Sequence, residues 1–204
     1  MKKQWVSAVM LCTLGLVGCG DGGTGPGTDT GPRYNTTDKI TTHLEGKTLV
    51  MTGDNIPSHP NGYDEDVNYG SATQCYKSTT MTVAGGNYAV TSLLGTLRNA
   101  PTVGTRGECD HSISPNQLTF TSTAVLIENV KEDGSCFDVT YTYVGFQQEG
   151  RGQISQDGKT LKLELFFGNQ ATGHRCASGA VGSSTVILNK APFTGNAVQT
   201  YTIQ

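Results

Sequence analysis

CFDVTYTYVGFQQEGRGQISQDGKTLKLELFF, residues Cys136–Phe167, decides the fold class of this chain. Phe137, Val139, Tyr141 and Tyr143 alternate with Asp138, Thr140 and Thr142, and Leu161, Leu163, Leu165 and Phe167 oppose Lys162 and Glu164. Side chains two apart on a strand share a face, so each run has one apolar and one polar side. That is the pattern of an antiparallel sheet with one face in the core. Between the runs, Gly150–Ser155 and Thr160–Phe167 flank QDGK, whose Asp157-Gly158 pair suits a tight hairpin turn.

Working outward, the same signals recur. Lys47–Thr52 (KTLVMT) reads as a short strand. Cys75–Val83 and Tyr88–Arg98 flank AGGN, and Leu118–Val130 and Cys136–Phe146 flank KEDGS, giving two more hairpins. Ser183–Asn189 and Val198–Ile203 complete the strands, and core-facing Ala89, Ala124 and Gly145 would leave room inside. Ahead of them, Thr37–Leu44 followed by Gly46 predicts a short helix with an N-cap and a terminating glycine. The expected fold is all-β: an antiparallel meander of about eight to ten strands after a short N-terminal helical turn, as a barrel or alternatively a β-sandwich. A helical turn, a first strand, a long first loop and a meander resemble lipocalin-like (calycin) barrels. Gly46-Lys47-Thr48 carries threonine where that family's G-x-W motif has tryptophan.

The N-terminus has a different character. Met1–Gln4 carries two lysines, and Trp5–Val17 is apolar but too short to span a bilayer, which needs about 20 residues. A basic start and a short apolar core make a secretory signal peptide. It ends Leu16-Val17-Gly18-Cys19, which resembles the lipobox of bacterial lipoproteins. The resemblance implies cleavage before Cys19, acylation of its thiol, and a membrane partner reached through the lipid. Gly20–Arg33, rich in glycine, threonine and proline, then reads as a flexible tether reaching roughly 20 Å. The expected organisation is residues 1–18 as signal peptide, 19–33 as lipidated cysteine and tether, and 34–204 as one β domain. In enteric lipoproteins an aspartate directly after the cysteine retains the protein in the inner membrane. Gly20 stands there, so the resemblance favours the outer membrane of the cell envelope.

Loss of Lys2 and Lys3 with the signal leaves 12 basic against 17 acidic side chains. A nucleic-acid partner, which demands a basic patch, is therefore not expected. Of six cysteines, Cys12 leaves with the signal and Cys19 takes the lipid. Cys75, Cys109, Cys136 and Cys176 remain for two disulfides in an oxidising compartment, with three possible connectivities. The preferred pairing is Cys75 with Cys109 and Cys136 with Cys176.

Chemistry-bearing motifs are few. Cys109-Asp110-His111 and His174-Arg175-Cys176 place Cys and His at i, i+2, so Cys109, His111, His174 and Cys176 could form a tetrahedral zinc set if the thiols stayed reduced. Asp64, Glu65 and Asp66, in the 53–73 loop, offer calcium-type oxygens without EF-hand spacing. Neither set is preferred, and no cofactor is expected. No G-x-S-x-G elbow occurs, and no recognisable nucleophile constellation surrounds the four histidines. The expected function is non-catalytic: a membrane-anchored lipoprotein whose barrel binds a small apolar or amphipathic ligand. Tyr141 and Tyr143 would supply polar contacts beside Phe137, with Tyr63 and Tyr69 covering the mouth. The alternatives are a surface-interaction or envelope-structural lipoprotein whose loops meet protein or glycan, and an undetected hydrolase.

Overall fold

The computed structural model describes residues 33–53, 75–98, 108–110, 112, 116–188, 190–193 and 196–204. All of them belong to the compact unit Gly31–Gln204. Residues 1–32, including Cys19, lie outside the described residues, as do Tyr63, Tyr69, Asp64, Glu65, Asp66 and His111.

The helix α1 spans Thr37–Leu44, and the Thr36 side chain caps it by accepting from the Lys39 N–H. Gly46 follows at φ +74°, a conformation that glycine adopts at little cost. Ile40 and Leu44, both buried, face the sheet. His43 Nε2 donates to the Gly158 carbonyl (2.9 Å), and the Glu45 carboxylate accepts from the Gly85 and Gly86 N–H groups. Three hydrogen bonds thus tie the helix end to two hairpin turns.

Strands follow in chain order: β1 Thr48–Thr52, β2 Tyr76–Ala84, β3 Asn87–Leu94, β4 Thr96–Arg98, β5 Glu108–Asp110, β6 Asn116–Thr121, β7 Ala124–Glu128, β8 Phe137–Tyr143, β9 Phe146–Ile154, β10 Thr160–Phe167, β11 Ala171–Thr172, β12 Ile187–Leu188, β13 Ala191–Pro192 and β14 Val198–Ile203. Nine of them make one sheet in the order β6-β3-β2-β1-β14-β10-β9-β8-β7. Every pairing in it is antiparallel. The two edge strands, β6 and β7, are consecutive in the chain. Between them, Ser122 N–H donates to the Tyr88 carbonyl on β3 and Thr123 N–H to the Thr142 carbonyl on β8. The Tyr88 and Tyr141 rings, from β3 and β8, meet edge to face at 5.1 Å. The sheet therefore curls towards closure, and the fold is all-β and barrel-like.

Several boundaries differ from expectation. The predicted strand Leu118–Val130 divides at Ser122–Thr123, because the chain there changes partner from β3 to β8. The hairpin after β8 turns at Val144-Gly145, with Gly145 at φ +90°, so β9 already begins at Phe146. Ser183–Asn189 yields only the two-residue β12. Ala89, Ala124 and Gly145 are exposed rather than core-facing, so they leave no space inside.

Space inside is consumed elsewhere. Gly150 and Gly152 pair with Val139 and Phe137 of β8 and with Leu165 and Leu163 of β10. A Cβ on Gly152 would stand 2.5 Å from the Phe137 ring and 3.0 Å from Leu163, and one on Gly150 would overlap the Glu164 carbonyl. Bulky neighbours already occupy the volume these glycines vacate, as expected at native packing density.

The chain joining β10 to β14 crosses back over the outer face of β8–β10 as a strap. Phe166, Ala171, Val186, Leu188 and Ala197 form a second, smaller apolar cluster there, with Phe193 against it. The strap is fastened by the Cys136–Cys176 disulfide. Cys75 is disulfide-bonded as well, while the Cys109 side chain lies outside the described residues.

Candidate functional site

Three places could carry function: the barrel interior, the outer sheet face, and the ionic cluster under the strap. Phe137, Val139, Tyr141 and Tyr143 point inward as the alternation predicts, and all are buried. Aromatic rings interlock around them. Tyr143 stacks with Phe146 at 4.6 Å, and Phe120 meets Tyr143 edge-on at 5.3 Å. Burial pushes the phenols of Tyr88, Tyr141, Tyr143 and Tyr201 up, so all four stay neutral at any physiological pH.

A polar layer crosses this aromatic core. Thr79 and Ser92 hydroxyls hydrogen-bond at 3.0 Å, and Tyr201 O–H donates to Gln199 Oε1 at 2.5 Å. Among the described residues, the buried Gln199 Nε2 has no partner. Between these groups and Gln148 remains a cavity of about 20 Å³. One water molecule needs about 10–15 Å³ on this measure, so the space suits a single water bonded to Gln199. A larger groove, about 420 Å³ and open to solvent, lies at the β8–β9 turn beside Phe146 and Phe167.

The outer face of the barrel has an unusual composition. Cross-strand register aligns Thr119, Thr91, Thr80, Val50, Thr202 and Thr160 in one row over six strands. A second row runs Thr121, Ala89, Thr82 and Thr48, and a third Gln117, Leu93, Ser78 and Thr52. Threonine favours strands, and Thr–Thr pairs support one another across them. These rows contain no charged and no aromatic residue.

Opposite in character is the face under the strap. Asp138, Arg151 and Glu164 are directly in register across β8, β9 and β10, and all three are buried. Arg151 Nε donates to Glu164 Oε2 at 2.7 Å. Its remaining N–H groups reach the Gly179 and Ser183 carbonyls and the Thr185 hydroxyl at 3.0–3.1 Å. Asp138 accepts from the Cys176 N–H (2.7 Å) and from Asn129 (2.8 Å). Arg175 pairs with Glu149 and donates to Thr140 Oγ1. The alternation assigns Asp138 and Glu164 correctly to the outward side. It misses their burial and the role of Arg151, for which the flanking glycines of Gly150-Arg151-Gly152 were the available signal.

The disulfide commits the Cys176 sulfur to Cys136, which removes Cys176 from the zinc set and leaves it incomplete. His174 is brought beside Glu149 instead, with Nε2 3.4 Å from Oε1. No group of three or more potential metal-ligating side chains occurs among the described residues. Among them, too, no helix is long and apolar enough to cross a membrane. Compared with known proteins, the chain matches no family model, no curated protein and no solved structure.

Proposed function

We propose that this chain is a non-catalytic, lipid-anchored protein of the cell envelope that acts through the outer surface of a filled barrel. The supporting observation is the described part of the interior, where the cavity beside Gln148, Gln199 and Tyr201 measures about 20 Å³, against the roughly 300–1,000 Å³ of an ordinary ligand pocket. The charge-free threonine rows then offer a uniform surface that spans six strands. Protein interfaces concentrate their energy in aromatic and arginine anchors, and these rows have none. Positions in these rows repeat about every 4.8 Å across strands and about 6.8 Å along them, and most carry hydroxyls, an array of donors and acceptors suited to an uncharged, hydroxylated polymer. The partner class is a neutral glycan of the envelope or its surroundings. The lipobox-like Leu16-Val17-Gly18-Cys19 supplies the anchor, and Gly20 favours the outer membrane.

Cys19→Ser should move the protein from the detergent phase to the aqueous phase, or strand it as precursor, and abolish labelling by a fatty-acid analogue. Wild type of mature size without label overturns the anchor. For the partner, sedimentation with insoluble neutral polysaccharides should retain wild type and retain Thr91→Glu at least tenfold less, with the fold intact. Equal retention of both overturns the threonine-face reading. The second reading, a small amphipathic ligand, is favoured by the groove of about 420 Å³ at Phe146 and Phe167. Saturable uptake of an environment-sensitive fatty-acid probe by wild type and not by Phe167→Ala, with no polysaccharide retention, assigns the function to that groove.

A further inference from the structure

We infer that His174 makes the strap an acid-responsive catch, closed at neutral pH and released locally as the surroundings acidify. His174 is 5% exposed, yet neither ring nitrogen makes a hydrogen bond among the described residues, Nε2 standing 3.4 Å from Glu149 Oε1. It sits two residues before Cys176, its ring 6.1 Å from that of Phe166. A buried unpaired donor is costly, commonly about 1–3 kcal/mol, so this is a poorly satisfied point in an otherwise well-bonded strap.

The groups around it decide the response. Asp138 faces it from β8, Glu149 and Arg151 from β9, and Arg175 from the strap, with Glu164 of β10 bonded to Arg151. Each carboxylate already has a donor: Asp138 holds the Cys176 N–H and Asn129, Glu149 holds Arg175, and Glu164 holds Arg151 and the Gly182 N–H. A newly formed imidazolium would therefore compete with Arg175 for Glu149, and with the Cys176 N–H and Asn129 for Asp138, while losing its hydration. Burial and the arginines hold the proton affinity of His174 below its ordinary value of 6.5, with the carboxylates opposing. The sign follows. An open strap binds the proton more readily than a closed one, so the closed form is favoured above about pH 6.5 and loses ground as pH falls below it. The Cys136–Cys176 bridge keeps the strap attached, so opening is local and reversible.

Amide hydrogen exchange on the full chain with disulfides intact, corrected for intrinsic rates, reads this directly. Strap amides that bond across to the barrel, those of Cys176 and Gly182, should lose protection between pH 7.5 and 5. The loss should approach tenfold per pH unit where one proton is taken up on opening. Val139 and Leu163 in the barrel should hold their protection over the same range. In His174→Phe, and in His174→Gln should the phenylalanine variant misfold, strap protection should not change with pH. An imidazole resonance titrating at or above 6.5, flat protection in wild type, or the same loss in the variants overturns the inference.

Discussion

Replacing Arg151 with methionine should lower the unfolding free energy by about 3–5 kcal/mol, the range for breaking a buried ion pair from one side. Methionine fills much of the volume but supplies no donor. Glu164 would keep only the Gly182 N–H, and the carbonyls of Gly179 and Ser183 would lose their side-chain donor. Arg151 is completely buried, so water cannot replace these bonds without opening the strap. Arg151→Lys should recover little, since one ammonium cannot span donors aimed at Glu164 and at three points of the strap. Arg151→Met with Glu164→Leu removes the stranded carboxylate but not the stranded carbonyls, so only part of the loss should return. Urea denaturation checks this: the midpoint should shift strongly while the slope is kept. A loss below 1 kcal/mol would mean that the strap contributes no such network in solution.

Removing the strap's covalent fastening should cost nearly as much. Cys136 and Cys176 are 40 residues apart, and the loop they close restricts the unfolded chain by roughly 4 kcal/mol on the loop-entropy account. Both cysteines are buried, so a Cys136→Ser, Cys176→Ser double variant also places two hydroxyls in a site built for sulfur. Thermal unfolding of the double variant should begin well below that of wild type, with strap amides losing protection first. Reductant alone should act slowly on the native protein, because the bridge is shielded from solvent. If the double variant melted with wild type, the strap would be held by its ionic and apolar contacts alone.

How much of this was legible in the chain can be judged from β8 and β10. Phe137, Val139, Tyr141 and Tyr143 alternate strictly, and period two is a property of the strand itself, so the inward face was readable without knowing the partner strands. The same holds for Leu161, Leu163 and Leu165. The helix was equally local, since Thr36 and Gly46 mark its two ends. The hairpin at Asp157-Gly158 needed only its turn residues. The expected room beside Ala89 and Ala124 did not materialise, because small residues there lie on the outward face and inward-pointing rings fill the centre.

From the amino-acid sequence by itself came the all-β class, the antiparallel meander, the inward faces and the short capped helix. Those depend on contacts within a few residues or on simple alternation. The Cys136–Cys176 bridge is the pairing preferred from the sequence, whereas only the tertiary structure decided how the sheet curls and that outward-facing Asp138, Arg151 and Glu164 are buried. The reason is physical: alternation states which side of a strand a residue occupies, not what later segment returns to cover that side. Burial of the charged row depends on a strap that begins only after β10, and the threonine rows exist because register brings β1, β2, β3, β6, β10 and β14 side by side. Register is set by pairing across the whole sheet, which no single segment encodes.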